Sequence, residues 1–137
     1  MSEQPIVDFG FLEELSGGDS IYKFELLSIF LSTTPDGVVN LEQLVEKGKD
    51  YEAIYKQAHA LKSSVGVIKI RDVHPGMAKI EALARGIHEG KDKANDKENK
   101  EEIVTTLNSL LETFNAALPL LEAERDKNEP KLEEDDE

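Results

Sequence analysis

The chain has no cysteine among its 137 residues. Neither a disulfide framework nor a thiolate metal site can therefore form, and a reducing, cytoplasmic setting is expected. Tryptophan is also absent and aromatic residues are only 6% of the whole, which removes most of the stacking platforms that single-stranded nucleic acid needs. Cations are scarce, with 16 Lys and Arg against 29 Asp and Glu and a formal net charge of −13. Phosphate backbones bind to Lys/Arg surfaces, so nucleic acid is excluded as a partner. No apolar run approaches the roughly 18 residues of a membrane span. The first residues carry Glu3 rather than a basic cluster. Neither a membrane anchor nor a secretory signal is expected.

What is present is helical pattern. Hydrophobic residues make up 39% and charged residues 33%, a balance that suits a small helical bundle with broad solvated faces. Asp8 is placed to cap a short helix over 9–15, and Ser16-Gly17-Gly18-Asp19 breaks it and starts the next. Ile21, Phe24, Leu27 and Leu31 form an inner stripe running to about Ser32. Thr34-Pro35 reads as a cap followed by proline at the first helical position, opening a new helix with Val38, Leu41, Leu44 and Val45 inward. Asp50 and Asp72 are expected caps for the two helices after that. Ile70, Val73, Met77, Ile80, Ala84 and Ile87 line one, with His74 and Pro75 in its first turn. Residues 91–99 read as charged loop or frayed helix ends. Ile103, Leu107, Leu110, Phe114, Ala117 and Leu121 line the last helix, which Pro119 should kink or end near Leu118.

These stripes predict an all-α fold, an antiparallel four-helix bundle over 35–47, 51–67, 72–89 and 98–125, with two additional N-terminal helices packed over one end. One domain spans 1–125. Residues 126–137, ending in Glu-Glu-Asp-Asp-Glu, hold too little apolar surface to order themselves and read as a disordered acidic tail.

The helix expected over 51–67 carries the most specific signal. Tyr51, Ile54, Ala58, Leu61, Val65 and Ile68 recur at spacings of three and four, the mark of a buried stripe. His59 lies well over 90° from the centre of that stripe, beside Tyr55, Lys62, Ser63 and Gly66. An imidazole thus projects to solvent from a helix anchored in the core. Small side chains at Ser63 and Gly66 leave room for another surface to approach. The window from Ala53 to Arg71 contains no acid but does contain Lys56, Lys62, Lys69 and Arg71, a cationic collar suited to an anionic reactant.

At these residues the chain resembles the histidine-containing phosphotransfer (HPt) family, whose signature runs roughly His-x-x-Lys-Gly, then small residues and a second glycine. His59-Ala60-Leu61-Lys62 matches, and Gly66 matches a small-residue position. Ser63 stands where the family has glycine after the lysine, and Lys69 where it usually has the second glycine. The resemblance in helix order extends from about Phe9 to Leu121, including Leu15-Ser16-Gly17-Gly18-Asp19.

The resemblance implies a phosphorelay intermediate: a phosphocarrier rather than an enzyme, accepting a phosphoryl group on His59 from a receiver-domain aspartate and passing it to another. Lys62, three residues on, can reach the phosphoryl oxygens. Tyr55, Ser63, Gly66 and Lys69 would face the docking partner. Glu81 and Arg85, at i and i+4 on the next helix, form a candidate second shell in which Glu81 accepts from Nδ1–H and leaves Nε2 free. The implied partners are receiver domains of response regulators or hybrid histidine kinases. Mg²⁺ is expected on the receiver and no cofactor on this chain, which is expected to be a monomer. No Gly-rich phosphate cradle or Gly-Lys-Ser motif is present, so no ATP site is evident. His74 reads as a first-turn residue and His88 as a cation at a helix C-terminus. A di-iron bundle would need Glu-x-x-His pairs. Lys56, Arg71 and Arg85 stand three residues before the histidines, so no metal site is expected. One alternative fits the same residues: a non-catalytic, degenerate module that docks an acidic, receiver-like partner without transfer.

Overall fold

The structure is a computed structural model that describes residues 5–131. Five α-helices account for most of it: α1 (Phe9–Ser16), α2 (Ser20–Lys47), α3 (Tyr51–Val67), α4 (Val73–Glu89) and α5 (Asp96–Lys127), with a single 3-10 turn at Lys93–Asn95 before α5. Aspartates begin the first three. Asp8 Oδ1 accepts from the Phe11 amide at 3.0 Å, Asp19 Oδ1 from the Ile21 and Tyr22 amides at 2.9 and 3.2 Å, and Asp50 Oδ1 from the Ala53 amide at 3.0 Å. Each satisfies N–H groups that the first helical turn leaves without a partner.

Helices α2 to α5 pack in a ring, α3 on α4, α4 on α5, and α5 back on α2, which also touches α3. Connections of a few residues make consecutive helices antiparallel. Phe114, Leu27, Leu41, Ile54, Met77, Ile80, Ile103 and Leu121 are fully enclosed at the centre. Phe30 and Phe114 meet there with ring centroids 6.4 Å apart. Gly76 allows α4 and α5 to close up, because a Cβ at this position would lie 2.7 Å from Leu110 Cδ2.

Three expectations are corrected. The two helices foreseen on either side of Thr34-Pro35 are one, so a single N-terminal helix, α1, stands outside the bundle. Along α2 the buried positions are Leu27, Phe30, Thr34, Val38 and Leu41. This stripe keeps its phase across Pro35, and packing holds the helix continuous where local propensity would end it. Its phase also turns Ile21 outward to solvent and leaves Leu31 only partly buried. Thr34 does not cap a helix. It is buried, and its hydroxyl has no hydrogen-bond partner among the described residues. Likewise α5 runs through Pro119 to Lys127, with Leu121 in the core.

Asp72 is the second correction. It adopts φ 64°, in the left-handed region, and its side chain makes no capping hydrogen bond. The N-terminal segment sets this turn. Val7 and Ile70 form an isolated antiparallel bridge, the Asp8 amide donates to Lys69 O at 2.9 Å, and the Arg71 amide donates to Ile6 O at 2.8 Å. From that paired stretch the chain must reverse sharply into α4, and Asp is among the few non-glycine residues that tolerate a left-handed conformation. Pro75 compounds the loss, since the third helical residue then has no N–H for a cap to meet.

The third correction concerns the C-terminal boundary. Asp126 and Lys127 are helical, and Asn128 is buried, its side-chain amide donating to Glu124 O at 2.8 Å. Asn128 closes α5 with both of its amides, since its backbone N–H also donates to Glu124 O at 3.2 Å. Of the rest of the expected tail, residues 129–131 are exposed and outside any helix, and residues 132–137 lie outside the described residues. No helix of the described residues is long and apolar enough to cross a membrane.

Candidate functional site

Helix α3 buries Ile54, Ala58, Leu61 and Val65 and so presents His59 on the opposite side. The His59 side chain is 62% exposed. Helix α4 lies alongside, and its buried face includes Met77, Ile80, Glu81 and Ala84. Glu81 is the charged member of that face, with a side chain only 11% exposed. A carboxylate in that position needs partners, because burial without them is costly. It has three. Glu81 Oε2 lies 2.8 Å from His59 Nδ1, Oε1 lies 2.8 Å from Lys62 Nζ, and Arg85 reaches Oε2 at 3.6 Å.

This arrangement fixes the imidazole. With Glu81 ionised, Nδ1–H donates to Oε2 and the lone pair resides on Nε2, the nitrogen that a carboxylate-held ring turns outward. The hydrogen bond from Lys62 holds the Glu81 carboxyl below its ordinary value of 4.5, burial opposes this, and the bond from His59 adds to the lowering. Glu81 therefore stays an anion and an acceptor throughout the neutral range.

Around the ring, Tyr55 lies one turn before His59. Its ring is covered by the Arg85 guanidinium at 4.7 Å and meets the His88 ring at 5.8 Å. Ser63, one turn after, is exposed. His59, Lys62, Glu81, Arg85, Tyr55 and Ser63 thus converge on one surface.

Gly66 and Lys69 do not join this group. Gly66 is seven residues beyond His59, about 10 Å along the helix. A Cβ there would touch the His74 ring, at 3.6 Å from Cδ2 and 3.9 Å from Nε2. Gly66 therefore opens onto a groove that it lines with Lys69 and His74, and not onto the space above His59. Lys69 comes after the helix has ended. Its ammonium sits 4.6 Å over the Phe11 ring, and it borders a 670 Å³ groove shared with Pro5, Asp8, Arg71 and His74.

The cationic collar is also more balanced than the acid-free window suggests. Lys56 pairs with Glu52 at 3.0 Å, and Lys62 pairs with Glu81. Sequence reasoning missed the Lys62–Glu81 bond and the Tyr55–His88 contact. Glu81 did carry a signal, because an acid next to Ile80 on the buried face of α4 must face the neighbouring helix. Nothing in the sequence pairs Tyr55 with His88, which requires the register between α3 and α4. Among the described residues no three acid or histidine side chains converge to hold a metal ion.

No curated protein and no solved structure matches the chain. A family model does, described as the Hpt domain and covering residues 25–127. That span takes in α3, α4 and α5 and all but the first turns of α2, and with them every residue around His59. The match covers most of the chain, which therefore belongs to the Hpt domain family, whose members act as phosphocarriers in two-component systems.

Proposed function

We propose that His59 is the phosphoryl acceptor of a phosphorelay. It takes the group from an aspartyl phosphate of one receiver domain and delivers it to an aspartate of another. The observation that carries this reading is the 2.8 Å contact between His59 Nδ1 and Glu81 Oε2 on a side chain otherwise open to solvent. In the first step the Nε2 lone pair forms a bond to phosphorus, the bond from phosphorus to the aspartate oxygen breaks, and the carboxylate leaves with that electron pair. Nδ1 keeps its proton, so the ring becomes cationic, and Glu81 stabilises that charge from behind. Delivery reverses these steps with a second carboxylate as nucleophile.

Lys62 assists by charge. Its ammonium rests on Glu81 at 2.8 Å and can share a hydrogen bond with phosphoryl oxygens once they arrive. Hpt family membership supports interaction with receiver domains, and the reaction needs no nucleotide bound to this chain.

The test is labelling by a panel of receiver domains phosphorylated with acetyl phosphate. The full chain should acquire an acid-labile, base-stable phosphoryl group. His59→Gln should retain helicity by circular dichroism, because the side chain is exposed, and should not label. Lys62→Ala should label about 10- to 100-fold more slowly rather than fail, since it stabilises charge and forms no covalent bond. Labelling of His59→Gln at the wild-type rate would refute the assignment.

A further inference from the structure

We infer that the Ser63 hydroxyl is a hydrogen-bond donor to the phosphoryl group carried on His59 Nε2. This rests on His59 being the phosphoryl acceptor and adds a residue specific to this chain. Four residues along a helix advance about 6 Å and bring the side chain back to the same face. Helical side chains also lean toward the N-terminus, so Ser63 overhangs the turn that carries His59. The ring is exposed, with Nδ1 tied to Glu81. A group added at Nε2 therefore stands in the space between the ring and the receiver, beside position 63.

The hydrogen bonds already made around the ring single out this donor. Lys62, three residues on from His59, is only 31% exposed and already bound to Glu81 at 2.8 Å. Arg85 is divided between Glu81 and the face of Tyr55. Ser32 and Thr33 return their hydroxyls to Ile29 O, but the Ser63 hydroxyl, which is exposed, has no partner among the described residues. It is free to turn its proton toward a phosphoryl oxygen without giving up an existing bond. A dianionic group on Nε2 makes such a bond charge-assisted, shorter and stronger than a neutral one. The serine thus does more than narrow the approach left by a glycine.

The experiment uses phosphoramidate, a small donor that needs no receiver, on the full chain with His74→Asn and His88→Asn so that only His59 can react. Phosphorus NMR then follows the half-life of the phosphohistidine after the donor is removed. Donation from Ser63 stabilises the charged oxygens of the ground state, so Ser63→Ala and Ser63→Gly should both shorten the half-life by about fivefold, the effect of one lost hydrogen bond. Ser63→Thr, which keeps the hydroxyl, should restore it. Equal half-lives for serine, alanine and glycine would overturn the inference while leaving His59 as acceptor. So would a ranking by size, with glycine best, alanine next and serine last in uptake from a phosphorylated receiver. If the parent chain forms no phosphohistidine with phosphoramidate or with any receiver, the proposed function falls, and this inference falls with it.

Discussion

Glu81 is bonded on both carboxylate oxygens and has a second cation, Arg85, close by, so it joins the fold and the site through one side chain. Its effect on stability has a definite sign. Lys62 and His59 hold the carboxyl below 4.5 in the folded chain. A depressed carboxyl pKa stabilises the fold fully above the unfolded value, and the contribution is lost as pH falls through the lower, folded value. Glu81→Gln keeps an acceptor for Nδ1–H but removes the charge that binds Lys62 and Arg85. It should lower stability by about 1–2 kcal/mol near pH 7, the range for a charge-assisted hydrogen bond in a mostly buried setting. Urea unfolding of both proteins at a series of pH values checks this. The gap should be constant from pH 7 down to about 5 and should close progressively below 4.5. A gap that widened on acidification would mean that Glu81 is not held ionised by its neighbours. Receiver-dependent labelling of Glu81→Gln should be slower as well, because a neutral amide stabilises a cationic ring less.

At the scale of the helix, α2 shows where local and tertiary signals part. Pro35 removes an N–H and crowds the carbonyl four residues back, which costs about 3 kcal/mol or more in a helix interior. Yet the helix continues, because Leu27, Phe30, Val38 and Leu41 all reach the same core. Thr34, immediately before the proline, is 2% exposed with an unpartnered hydroxyl. Thr34→Val keeps the shape and removes that polar group, so it should stabilise the fold by about 1 kcal/mol. For a chain of this length that is a rise of a few degrees in Tm, near 2–5 °C. A fall in Tm would show that the hydroxyl is satisfied in solution.

The stripes of α3, α4 and α5 were legible in the sequence because each helix buries one face of constant phase between clear breaks. The union of α2 was not, since Thr34-Pro35 carries every local mark of a helix start and only packing overrules it. For the same reason Ile21 was placed inward and is exposed. At the site, the outward position of His59 and the nearness of Glu81 could be read from helical phase. The reach of Lys62 to Glu81 could not, because it depends on the register between two helices, and local spacing does not encode register. Gly66 does border open space, but the His74 ring of α4 lies beside it, and that neighbour too depends on the register between the two helices.

The molecule as a whole is acidic, at −13, and must meet receivers whose phosphorylation sites, by the family resemblance, are acidic too. Two such surfaces repel, and at physiological salt the repulsion is felt over a Debye length of about 8 Å. The acid-free stretch of α3 and the turn that follows is then the side from which approach costs least. Most of its cations are committed, with Lys56 on Glu52 and Lys62 on Glu81. Lys69 is exposed, and no ion pair of the described residues holds it; its ammonium lies over the Phe11 ring at 4.6 Å. It therefore contributes net positive field at the α1 end of this side. Lys69→Glu reverses that field where the partner must pass. The fold should survive, with a loss of about 0.5–1 kcal/mol from the exposed cation–π contact. Association with a receiver, followed by stopped-flow fluorescence, should slow several-fold at low ionic strength, and the rate should rise more steeply with salt than that of the parent chain. Raising the salt should bring the two proteins together in rate, because the difference is one of steering and not of contact. Faster association of Lys69→Glu would reverse the assignment. Lys69 would then obstruct a position where the family usually has glycine, and the receiver this chain prefers would present cations at that edge.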